Sequence, residues 1–196
     1  MQAASALWHA RSYADVGVSE ICDVADVRKG SFYHFFSSKQ ELAVAVIDRR
    51  WNEDFERIVM PALDAGESPL GRIRALLVGI AHEVGRLAEV LGSVPGCPYG
   101  NLAVELSTID DAVRARLESL FANQQQLLAA LLDDAVEAGE VSTGTDTAEV
   151  ARAMIAYVEG VLLMSKNAND VSVAERLMPL ALRLAVPGTP VETGRT

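Results

Sequence analysis

Cysteine is scarce in this chain: two residues in 196, Cys22 and Cys97, far apart. A disulfide framework is therefore not expected, and a reducing cytosol fits. Neither thiol has a second Cys or a His at ligand spacing, so no metal site is expected. Long apolar runs are also missing. Arg, Glu or Asp interrupts each one before the roughly 20 residues that cross a bilayer, so no membrane partner is expected. The N-terminus has no charged segment followed by an apolar one, which argues against a secretory leader. The G-x-S-x-G, phosphate-loop, H-E-x-x-H and dinucleotide patterns do not occur. The adjacent carboxylates Asp110-Asp111 and Asp133-Asp134 diverge around a helix and read as a cap and a solvated face. An enzyme is not expected, and no cofactor is implied. Sustained two-residue alternation and hairpin signals are absent too, which excludes an extensive sheet.

An excess of positive charge is likewise missing, but unevenly. The formal net charge is −10. Residues 1–50 hold six Lys/Arg and six Asp/Glu, so the whole deficit belongs to the later chain. An evenly acidic protein would be a poor nucleic-acid ligand. Here the acidity marks a solvated later body and leaves the first fifty residues neutral.

What is present is helical period. Val46, Ile47, Trp51, Phe55, Ile58, Val59 and Ala62 follow one another at helical spacing. So do Val113, Leu117, Leu120, Phe121, Leu128, Leu131 and Leu132, and later Val150, Met154, Val158, Val161 and Leu162. Punctuation falls at "PALDAGESPLG" (61–71), "GSVPGCPYG" (92–100), "LSTIDD" (106–111), "EAGEVSTGTD" (137–146) and "NANDVS" (167–172). Ser68 with Pro69, Ser107 or Thr108, and Thr145 or Asp146 are the expected helix starts. Asn101 is expected to cap a short helix. The tail at 186–196 is expected to fray. The fold class is all-α with about nine helices. A small N-terminal domain (1–45) precedes a larger helical one (46–196).

The decisive stretch is "RKGSFYHFFSSK" (28–39). It holds three cations, a His and four aromatics, and no carboxylate. Upstream, "VSEICDVADV" (18–27) places Val18, Ile21, Cys22 and Ala25 on one helical face and then breaks at Asp26-Val27. Helix, short turn, helix is the arrangement that lays its second helix in the DNA major groove. A helix over 28–36 would span about 13 Å. Ser37 or Ser38 would cap the next helix, with Glu41 placed for a capping box and Lys39 beside a phosphate-attracting N-terminus.

"VSEICDVADVRKGSFYHFFSSKQEL" (18–42) resembles the helix-turn-helix of the tetracycline-repressor-like (TetR) transcriptional regulators. The specific core is V-x-K-G-S-F-Y-H-F-F-x-S-K-x-E-L. "GCPYGNLAVELS" (96–107) also looks like a loop-helix junction found in one group of these regulators. The resemblance implies that Lys29, Tyr33, His34 and Lys39 contact phosphates, and that Arg28, Ser31 and Phe32 meet base edges or thymine methyls. It places Gly30 where a side chain would hinder approach to DNA. Phe35, Ile21, Val27 and Leu42 are expected in the small core. Asp26 stands where Gly is usual, Gly17 where Ser or Thr often caps, and Arg28 where a small cap is common. Met1 falls inside the expected first helix, without the family's basic arm.

The resemblance further implies a homodimer on a double-stranded, near-palindromic operator, released by a small-molecule effector. The last two long helices, 146–167 and 171–186, would form the dimer bundle through residues such as Ala151, Met154, Ile155, Val158, Leu162, Leu177, Leu180, Ala181 and Leu184. The effector pocket is expected among the helices of 41–138, with Trp51, Phe55, His82, Cys97, Tyr99, Asn101, Phe121 and Tyr157 as candidate liners. Cys97 also reads as a candidate sensor of electrophiles or oxidants. Two other classes stay open: a small-molecule sensor with weak or lost DNA binding, and a helical enzyme using Cys97 as nucleophile.

Overall fold

The computed structural model describes residues 1–65 and 68–186, and every regular element among them is helical. In chain order these are α1 (Gln2–Ala10), α2 (Val18–Val24), α3 (Lys29–Phe35), α4 (Lys39–Asp54), a π turn (Phe55–Val59), α5 (Met60–Asp64), α6 (Pro69–Leu91), α7 (Pro98–Leu106), α8 (Asp111–Glu137), α9 (Thr147–Ala168), α10 (Val171–Leu177) and a 3₁₀ helix (Met178–Leu184). With 39–64 taken as one rod, the described residues carry nine α-helices. Most of the expected tail lies outside the described residues, beyond Val186.

The chain divides into two compact units. One consists of Met1–Glu53 and Pro98–Ser119. The other consists of Asp54–Cys97 and the chain from Leu120. In the first, α1, α2 and α4 bury Trp8, Ile21, Cys22, Leu42 and Ile47, and α7 and the start of α8 add Leu102, Leu106, Val113 and Leu117. Residues 98–119 thus contribute to the small core. Each fully buried Leu or Ile there is worth about 1.5–3 kcal/mol. Arg116 of α8 pairs with Asp48 of α4 within this unit.

In the second unit, α9 packs on α10 and the 3₁₀ helix, and α6 packs on both of the latter. Ala151, Met154, Val158, Leu162 and Ala181, expected at a dimer interface, are buried within this unit instead. Their stripe on α9 faces the chain's own helices. The last helix does not run unbroken to 186. It tightens to 3₁₀ at Met178, because Pro179 has no N–H to donate and its ring crowds the preceding turn.

The termini follow local chemistry. Ser68 accepts from the Gly71 N–H, with Pro69 in the first turn of α6. Asp146 accepts from the Glu149 N–H at α9. At α8 the cap is Asp110, which accepts from the Val113 N–H at 2.9 Å, not Ser107 or Thr108. Asn101 is not a cap: α7 starts earlier, at Pro98, whose fixed φ suits a first helical position. The rod ends at Asp64, within the break expected at 61–71, and is continuous through Pro61. It widens into the π turn just ahead of it, which relieves the clash between the proline ring and the carbonyl four residues back.

Candidate nucleic-acid interface

The turn between α2 and α3 closes as a Schellman motif. Asp26 N–H donates to the Asp23 carbonyl at 3.2 Å, and Val27 N–H to the Cys22 carbonyl at 3.0 Å. Asp26 takes the left-handed conformation, φ 51°, which a β-carbon makes costly and a short polar side chain makes tolerable. Arg28 then sits extended, and its carbonyl accepts from Ser31 and Phe32 to start α3.

Helix α3 is seven residues long and is held to the core by one side chain. Phe32 is 6% exposed and stacks edge-on to Tyr33 and tilted to Phe36. Every other residue from Arg28 to Phe35 is exposed. Two expectations therefore change places. Phe32, expected at base edges, is the anchor. Phe35, expected in the core, is 71% exposed and packs edge-on against His34. Val27 is also exposed, at 46%, whereas Ile21 and Leu42 are buried as expected. Arg28, Lys29, Ser31, Tyr33 and His34 are all presented to solvent, Tyr33 at 57%. No carboxylate lies within α3. Gly30 has open space around it: a β-carbon there would meet nothing within 4 Å. The fold itself does not require glycine at this position.

Helix α4 starts with a capping pair shifted by one residue. Ser38 Oγ accepts from the Glu41 N–H, while the Glu41 carboxylate accepts from the Ser37 N–H and hydroxyl. Those bonds hold the Glu41 carboxyl below its usual value. Lys39 is already engaged. Its ammonium donates to the Tyr13 carbonyl and lies 3.9 Å over the Tyr13 ring. Burial draws the ammonium's pKa down, and Glu105 and Asp15 oppose that shift. An ammonium has three donors, so one remains for a phosphate.

The expected effector residues are divided between the two units. Trp51, Tyr99 and Asn101 fall in the first unit, and Phe55, His82, Cys97, Phe121 and Tyr157 in the second. Tyr99 and Asn101 line a cleft with Trp8, Ile47 and Arg50. It measures about 30 Å³, room for water but far below the roughly 300 Å³ at which ligand pockets begin. His82 is exposed, and Tyr157 donates to the Leu177 carbonyl at 3.0 Å. Cys97 is a buried thiol whose side chain bonds Glu159 of α9. Burial raises the Glu159 pKa, and the thiol pulls the other way. Glu159 is not among the residues expected at a site. Its only signal was a lone carboxylate in the apolar run "AYVEGVLL". Among the described residues no cluster of His, Cys, Asp and Glu could hold a metal.

Residues 1–46 match the model of bacterial regulatory proteins of the tetR family, and residues 69–180 match the tetracyclin repressor-like C-terminal domain. The chain belongs to the TetR family. Similar relatives include the transcriptional regulator AcuR of Cereibacter sphaeroides, 36% identical over 80% of this chain and 69% of that one. Another is the HTH-type transcriptional repressor DhaR of a Mycobacterium species, 27% identical over 91% and 86%. A crystal structure of a TetR regulatory protein from Rhodobacter sphaeroides superposes with a TM-score of 0.80 at 28% identity, covering 94% of this chain and 98% of that one. Within this TetR-family regulator, α2 and α3 are the helix-turn-helix.

Proposed function

We propose that this TetR-family regulator is a ligand-responsive repressor that binds a near-palindromic operator as a homodimer and is released by a small molecule. The observation that carries the DNA-binding half is α3 itself. One buried Phe anchors it, and with its N-cap Arg28 it offers solvent two cations, a His, a Tyr and a Phe with no carboxylate between them. Lys29, Tyr33, His34 and Lys39 would take phosphates. Arg28, Ser31 and the exposed Phe35 would meet base edges and thymine methyls.

The dimer would use the side of α9 that its own unit leaves open. Ala153, Ala156, Gly160, Leu163 and Met164 repeat at helical spacing and are exposed, Leu163 at 64% and Met164 at 56%. Small residues beside large apolar ones let two helices approach closely. A two-fold dimer then carries two copies of α3 and reads half-sites about one or more DNA turns apart.

The effector would bind the second unit, where Phe55, Phe121 and Tyr157 lie. It need only bind the low-affinity state better than the operator-bound one. The rod 39–64 and α8 both run from one unit into the other and would carry the change. The π turn falls where the rod enters the second unit, a common place for a functional irregularity. Selection of duplexes from a random pool tests the reading: a near-palindrome should be enriched, and a pool that stays random would count against it. A sensor without DNA binding would leave the basic, aromatic surface of α3 unexplained.

A further inference from the structure

Glu105, on α7, is bonded to a segment 91 residues earlier in the chain. One carboxylate oxygen accepts from the Tyr13 N–H at 2.9 Å and the other from the Ala14 N–H at 2.7 Å. A carboxylate accepting two successive backbone donors fixes both their position and their orientation. Tyr13 belongs to the turn between α1 and α2. It is held from its other side as well, because its carbonyl and the face of its ring receive the Lys39 ammonium. The ring is buried and stacks on Trp8, 5.1 Å between centroids. Burial, with Asp110 and Glu105 nearby, pushes the Tyr13 hydroxyl up to about 12, so it stays neutral. Tyr13 is thus a shared seat for α7 and for the first residue of α4.

From this seat we infer that Glu105 is a positioning residue for DNA binding: by fixing the Tyr13–Ala14 turn it holds Lys39 where a phosphate would meet it. The inference rests on the operator-binding reading and adds a second input to it. Helix α7 follows directly on the 92–97 segment, which is tied within the second unit by Val94 N–H to the Asn169 side chain at 2.8 Å and by Cys97 to Glu159. A shift of that segment would reach Lys39 through Pro98–Leu106 and Tyr13, without passing along the length of the rod 39–64.

Operator titration of the full-length protein tests this, using a duplex enriched from a random pool, at several salt concentrations. Wild type, Glu105→Ala, Lys39→Ala and the double variant are compared. Glu105→Ala should weaken binding about tenfold and flatten the plot of log K against log salt by about 0.9, the loss of one phosphate contact. The double variant should bind no more weakly than Lys39→Ala alone, because both changes remove one arrangement. A Glu105→Ala loss that leaves the slope intact and adds to that of Lys39→Ala would make Glu105 merely structural and overturn the inference. So would unchanged binding. Wild-type protein that selects no duplex at all would sink the regulator reading and this inference with it.

Discussion

Replacing Gly30 with alanine should raise stability and lower DNA affinity at once. Gly30 lies in the first turn of α3, where glycine costs about 0.5–1 kcal/mol relative to alanine through lost chain entropy. The new methyl would meet nothing within 4 Å of the protein, so no clash offsets that gain. For a chain of this size the gain corresponds to a rise in Tm of about 1–4 °C. On DNA the balance reverses. Gly30 is on the exposed surface that also carries Lys29, Tyr33 and Phe35, and a methyl there must displace either the backbone phosphate or a bridging water. Loss of one such hydrogen bond is worth about 1–1.5 kcal/mol, roughly tenfold in Kd. Thermal melting and fluorescence anisotropy on the same preparation read both signs. A variant that melts higher and binds as tightly as wild type would refute the idea that this glycine serves DNA approach. A variant that melts lower would refute the claim of open space around it.

The two phenylalanines of α3 should separate cleanly. Phe32→Ala removes the helix's anchor and should destabilise by about 3–5 kcal/mol by denaturant unfolding, whereas Phe35→Ala should leave stability within about 0.5 kcal/mol and weaken operator binding. Asp26→Gly should stabilise by about 0.5–1 kcal/mol by relieving the left-handed turn; equal or lower stability would mean that the Asp side chain contributes to the turn. Leu163→Glu places a charge on the exposed stripe of α9 and should shift sedimentation toward monomer; an unchanged dimer would place the interface elsewhere. For Glu159 the folded pKa is raised above the ordinary 4.5, chiefly by burial. The folded state then holds the proton more tightly. Its contribution is fully present below the unfolded value and is lost as pH rises through the folded one. Glu159→Gln should therefore gain Tm relative to wild type as pH climbs from 4 to 8, and a difference that is flat with pH would contradict the raised value.

The helix-turn-helix was legible because its chemistry is local. Turn, cap and basic aromatic run lie within 25 consecutive residues, and the family's motif confirms their order. The swap of Phe32 and Phe35 was not legible. Phe32, Phe35 and Phe36 all suit one helical face, but α3 ends at Phe35 and Phe36 is already extended (φ −134°, ψ 120°). The helical period fails where it was needed. On α9 the sequence shows apolar and small residues on more than one side. Only packing reveals that Met154 and Val158 face inward while Leu163 and Met164 face out. Glu105 looked like an ordinary helix carboxylate because its partners lie 91 and 92 residues away. The placement of α7 with the N-terminal elements was hidden for the same reason. The effector residues could not be singled out in the sequence because an apolar residue at helical spacing reads alike in a core and in a pocket wall.

The most direct measurement is anisotropy of wild type and Tyr33→Ala on a duplex enriched from a random pool, at two salt concentrations. The account predicts tight binding by wild type that weakens steeply with salt, and at least tenfold weaker binding by Tyr33→Ala at unchanged Tm. Equal binding by the two proteins, or wild-type affinity no better than for unselected DNA, would contradict the assignment of α3 as the recognition helix.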